Sequence, residues 1–154
     1  MDTVLDRFDL SWSLAAPDAE DWLAHWTRGC VLDGAAPAAA LDGLSGCDVL
    51  GPFGAWLQVE PYGRFVVRRC GASIEPALGV RLLGRRLGPD PALMALCEAV
   101  IDGRPRLLPT EAWPGAACEP GFSLCILPMA GGPDDPTVSE LLLGLGRSPA
   151  SIAA

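Results

Sequence analysis

The chain has 154 residues and a formal net charge of −8; half its residues are hydrophobic, and all 11 basic residues are arginine. That length suits one domain with a core large enough to need no staples. The negative balance excludes a general binder of nucleic acid or anionic membrane, since both are held by positive surface.

Residues 1–17 show no clear period and read as an N-terminal arm, acidic and without the apolar run of a signal peptide. A leading helix is expected over 18–30. Asp18 is placed to cap it, Glu20 and Asp21 to favour its positive end, and Arg28 and Gly29 to finish it. Ala19, Trp22, Leu23, Trp26 and Cys30 recur at helical spacing. Two tryptophans on one short helix need a surface to cover, either the domain's own sheet or another subunit, so Trp22 and Trp26 are the candidate interface. Residues 31–54 are rich in Ala, Gly, Asp and Pro and read as a connector.

The core is expected over 55–146. Ala55–Glu60 and Arg64–Cys70 read as antiparallel strands joined by Pro61, Tyr62 and Gly63, which carry the chemistry of a tight hairpin loop. Phe65, Val67 and Arg69 fall on one side of the second strand and Val66, Arg68 and Cys70 on the other. Short helical turns follow, with Ser73 as a cap, Pro76 in the first turn and Gly79 as a left-handed exit. The longer helix is expected from a cap at Asp90, with Pro91 as its first residue, to a stop at Gly103 and Pro105. Its apolar stripe is Leu93, Leu96, Cys97, Val100 and Ile101, all expected to face the sheet. Three strands complete the order: one broken at Pro109, one over Phe122–Leu127 with Phe122, Leu124 and Ile126 on one face, and one over 138–145. Between the last two, 129–136 reads as a Gly- and Pro-rich loop. Periodicity leaves 138–145 open between strand and helix. Residues 147–154 read as a flexible tail. This order predicts an α+β domain with helices crossing one side of an antiparallel sheet, a shape that commonly holds a pocket between the layers. Val67, Ile74, Leu78, Leu93, Leu96, Cys97, Val100, Ile101, Leu124 and Ile126 are the expected lining.

Signals for chemistry are sparse. The chain has no phosphate-binding glycine loop, no dinucleotide fingerprint and no hydrolase signature. The single histidine, His25, has no partner that would make it a base or ligand, and the plainer reading is a packing or surface residue. Cys30, Cys47, Cys70, Cys97, Cys118 and Cys125 form no Cys-x-x-Cys pair, so no metal site is expected and the thiols read as small apolar residues. Glu20–Asp21 and Asp134–Asp135 read as solvated charge. The arginines at 64, 68, 69, 81, 85 and 86 can grip an anionic ligand or an acidic partner, although a solvated strand face with helix-end charge is the favoured reading.

On these residues the sequence resembles the PAS fold, and within it a PAS-like family found largely in alphaproteobacteria. Trp26 in the leading helix, Arg64–Arg68 with Gly71, Gly79–Leu87, Gly103–Pro105 after the longer helix, and Leu124–Met129 match in order across about residues 18–145. The resemblance implies a five-stranded antiparallel sheet, with short helices and one longer helix on one face, preceded by the amphipathic leading helix. It also implies a non-enzymatic sensory or interaction module that uses the pocket or the outer sheet face. The neutral run Ala36–Ala40 departs from the basic, proline-containing run that the family has in its connector. The flavin- and haem-binding signatures of better-known relatives are missing, so neither cofactor is expected.

The expected function is therefore cytoplasmic signalling, through an unknown small molecule or a signalling protein, with a homodimer as the expected assembly and neither nucleic acid nor membrane as a partner. A purely structural dimerisation module is the alternative. A small cone-shaped enzyme or carrier ranks lower, because its helices would precede most of the sheet.

Overall fold

The computed structural model describes residues 16–29, 36–37, 51–88, 90, 93–132 and 135–149. Helix α1 spans Ala19–Gly29, α2 Ile74–Leu78 and α3 Met94–Asp102. The strands are β1 (Ala36–Pro37), β2 (Gly54–Glu60), β3 (Arg64–Cys70), β4 (Arg86–Leu87), β5 (Arg106–Pro109), β6 (Phe122–Gly132) and β7 (Asp135–Arg147). They form one sheet in the order β1-β6-β7-β2-β3-β4, with β5 on β6. Every pairing is antiparallel except that of the two-residue β1.

The protein is thus α+β with six antiparallel strands, where five were expected. The extra one is β4. The turn before it is tied to β3 by Gly84 N–H donating to Val67 O and Val67 N–H to Arg85 O, both at 2.9 Å. That register lays Arg86 and Leu87 beside Val66 and Phe65.

The β2–β3 hairpin turns where Pro61, Tyr62 and Gly63 place it. Tyr62 and Gly63 both take positive φ, 65° and 70°, which gives the tight reversal a right-twisted hairpin requires. Arg68 is the extra residue of a bulge, since Leu57 pairs with Val67 but Trp56 with Arg69. The stretch over 138–145 is strand. Leu141, Leu143 and Leu145 point to one face, Leu142 and Gly144 to the other, and all are buried. A strand covered on both faces reads as a continuous apolar run, which is why periodicity could not separate it from a helix. Pairing of β6 with β7 continues through two irregularities to Gly132 and Asp135, so 129–132 and 135–136 of the expected loop at 129–136 are strand; residues 133–134 lie outside the described residues.

The helices divide between the two faces of the sheet. On the inner face, α2 and α3 cover Leu57, Phe65, Val67, Leu124, Ile126, Leu141 and Leu143, all buried. On the outer face, α1 lies over β6 and β7, where Trp22 packs on Gly144 and the Cys125 thiol meets Ala19 O at 3.5 Å. On the inner face α3, with 9 residues, is the longer helix and α2, with 5, the shorter, while α1 on the outer face has 11. Asp90 O, at the expected cap, instead accepts Leu93 N–H at 2.8 Å in a turn ahead of α3, with Leu93 as the N-cap residue. Pro91 lies outside the described residues. Gly79 and Gly103 close α2 and α3 in the left-handed conformation, as their positions predict. Ser73 caps α2 through its backbone only, with Ala77 N–H donating to Ser73 O.

Residues 16–17 and 147–148 are tied to each other and to β6; the rest of the expected arm and tail, 1–15 and 150–154, lies outside the described residues. Arg147 N–H donates to Pro17 O, Arg147 Nη1 donates to Ala16 O, and the hydroxyls of Ser123 and Ser148 lie 2.6 Å apart.

Candidate functional site

A cleft of about 290 Å³ opens beside the hairpin turn, where β3 meets the start of α3. Gly63 and Phe65 form one wall, Leu93, Met94 and Cys97 the other, and Gly88 and Asp90 the rim. Each wall follows from local sequence. The turn delivers Gly63, whose missing side chain leaves room: a Cβ there would stand 3.5 Å from Cys97 Sγ. Helical spacing brings Leu93 and Cys97 to one face of α3. Met94 stands beside them, half exposed at the mouth. The walls are apolar, and Asp90 and Cys97 are the titratable groups among the lining residues. Its size falls at the lower end of small-molecule sites.

Of the ten residues expected to line a pocket, Leu93 and Cys97 do so. Val67, Ile74, Leu78, Leu96, Leu124 and Ile126 instead interdigitate as core and are 0–1% exposed, so these six side chains fill the space they were expected to line. Val100 is partly buried against that core. Ile101 is 81% exposed, a correction to its assignment to the sheet-facing stripe. It stands about 140° around the helix from Leu96, while Ala99 occupies the inward position. Sequence reasoning missed Phe65, Gly88 and Met94 as lining residues. It had singled out Gly63 and Asp90, but only for turn and cap chemistry.

Trp22, expected as a candidate interface residue, is buried within the chain itself. It is 1% exposed, and its indole N–H donates to Leu145 O at 3.0 Å. Trp26, half-buried, donates to Pro128 O at 2.8 Å. The chain's own sheet is the surface the two tryptophans cover. His25 lies on α1, and its side chain, like Cys30 and Cys47, is outside the described residues.

Burial pushes the Cys125 thiol up to about 12, and burial with help from Glu75 does the same for Cys70. Cys118 is raised mainly by burial. Glu75 is held below the usual carboxylate range because the N–H groups of Leu82 and Leu83 donate to its Oε2 at 2.6 and 3.0 Å. Its carboxylate anchors the loop between α2 and β4. Among the described residues no cluster of His, Cys, Asp or Glu could hold a metal ion, and no helix is long and apolar enough to cross a membrane.

The fold and cleft define an α+β protein with an open apolar site at a helix–hairpin junction. No protein-family model matches the chain, and no curated protein or solved structure is significantly similar to it.

Proposed function

We propose that the chain is a non-enzymatic, PAS-like sensory module of the cytoplasm that binds a small, largely apolar molecule and passes its occupancy to a partner protein. The apolar cleft between β3 and α3 carries this reading. Support for the PAS-like part comes from the element order, a hairpin, two inner-face helices and three further strands, with β7 returning to pair with β2. The lining residues offer one carboxylate and one thiol but no opposed acid–base pair, which suits binding better than turnover.

An occupant would wedge between the hairpin turn and α3. That helix is coupled at its other end to the sheet edge, through the pairing of Arg106 on β5 with Asp102 and a 3.9 Å contact with Glu98. A shift of α3 would therefore be felt at β5. Native mass spectrometry of freshly purified protein tests the reading. An excess mass that disappears on denaturation, and that a cleft-filling Met94→Trp substitution abolishes, is the expected result. A bare chain mass in every preparation contradicts it.

A further inference from the structure

The arginines of the β2–β3–β4 corner share one surface. On the outer face, register places Arg64 opposite Glu60, Arg69 opposite Trp56 and Arg86 beside Val66. Three of the arginines are held, each differently. Arg69 stacks over the Trp56 ring at 4.6 Å, Arg68 donates from Nε to Gln58 Oε1 at 2.7 Å, and Arg86 pairs with Glu60 at 3.4 Å. Trp56 is 7% exposed, so the stacked guanidinium is the outward part of that pair.

Among the described residues little negative charge answers this surface. Glu60 is engaged by Arg86, and Glu140, opposite Gln58 on β7, is the other carboxylate facing the patch. Glu75 is turned to the backbone of Leu82 and Leu83. Arg64, Arg68, Arg69 and Arg85 form no ion pair with any described residue. Residues 64–86 carry six arginines and one glutamate, a balance of +5 within a chain at −8.

We infer that this face docks an acidic, extended segment of a partner protein. Arg64 and Arg69 are separated by five strand positions, about 17 Å, too far apart for one small anion to bridge. They lie on an open sheet face, not in a concave site. A polyanion such as nucleic acid or an anionic membrane would meet the net −8 of the whole chain at long range, whereas a short acidic segment meets only the local patch. Two copies joined symmetrically through this face would set arginine against arginine. Preset guanidiniums, held by Trp56 and Gln58, reduce the ordering cost of pairing with carboxylates. The surface lies on the opposite face of the sheet from the cleft, so its test stands whatever the cleft holds.

The test is fluorescence anisotropy at neutral pH with a fluorescein-labelled Glu–Ser repeat peptide. Single-stranded DNA and phosphatidylserine vesicles serve as competitors, and sedimentation velocity reports self-association. Arg64→Ala/Arg68→Ala is the test variant because both side chains are exposed; its thermal unfolding confirms the fold, and Arg104→Ala is the control. The expected result is peptide binding that weakens with added salt and falls roughly tenfold in the double variant but not in the control. No binding, or equal binding by the double variant, overturns the inference. So does tighter binding of DNA or vesicles than of peptide, or self-association that the double variant abolishes.

Discussion

The indole of Trp22 occupies the place that a side chain at Gly144 would take. A Cβ at 144 would come within 2.7 Å of Trp22 Cε3 and closer still to Cδ2 and Cε2. This contact sets how α1 lies on the outer face, with the Trp22 N–H anchored on Leu145 O one residue further along β7. Gly144→Ala is expected to destabilise the fold by about 3 kcal/mol through overpacking. Trp22→Ala costs about 3–5 kcal/mol. Because both changes act on one contact, the double variant should be more stable than their sum by over ~1 kcal/mol. Chemical denaturation of the four proteins measures this.

Glu75 gives the fold a pH dependence with a definite sign. Its folded pKa lies below the ordinary value because the Leu82 and Leu83 N–H groups favour the charged form. The stability it contributes is therefore complete above the unfolded carboxylate pKa and is lost as pH falls through the lower folded value. Glu75→Gln should flatten the acid limb of the stability curve, and Glu75→Ala should cost about 1 kcal/mol at neutral pH by removing the acceptor of two backbone donors, of which the Leu83 N–H is exposed to water. Stability of the three proteins measured from neutral to acid pH shows whether the limb moves.

At the alkaline end the sign reverses. Cys70 and Cys125 have folded pKa values near 12 against an ordinary 9. Each contributes stability that is full below pH 9 and declines as pH rises toward 12, because only the unfolded chain ionises readily. Cys125→Ala should make that decline shallower in denaturation midpoints measured across the range. Native Cys125 should also resist alkylation until the protein unfolds.

The register of α3 distinguishes two neighbouring apolar residues. Leu96 is buried on the inner face and Ile101 faces outward. Leu96→Ala should cost about 2–5 kcal/mol, while Ile101→Ser should stay within about 0.5 kcal/mol of wild type. Equal costs would mean that the helix is rotated from the position described.

Local rules made several elements legible in the sequence. The Pro61–Gly63 hairpin, the exits at Gly79 and Gly103 and the apolar face of α1 each follow from one or two residues whose chemistry leaves little choice. What remained hidden depends on packing between distant segments. Nothing in Arg86–Leu87 marks a strand until the Leu82–Arg85 turn is tied to Val67. The leucines of β7 cannot announce a strand because both faces are covered. The site was half legible: Leu93 and Cys97 follow from helical spacing, but their partners Gly63 and Phe65 come from a hairpin 30 residues earlier. The six core residues expected to enclose a pocket fill it instead, a matter of volume that a linear pattern does not record.

The most direct test of a ligand in the cleft is site-resolved alkylation of Cys97. Its rate is measured in protein as purified and again after unfolding, desalting under denaturant and refolding. An occupant of the cleft that Cys97 lines would shield the thiol, so stripped and refolded protein should be alkylated at Cys97 several-fold faster, with the rate at Cys118 unchanged. Equal rates at Cys97 before and after stripping would contradict the account.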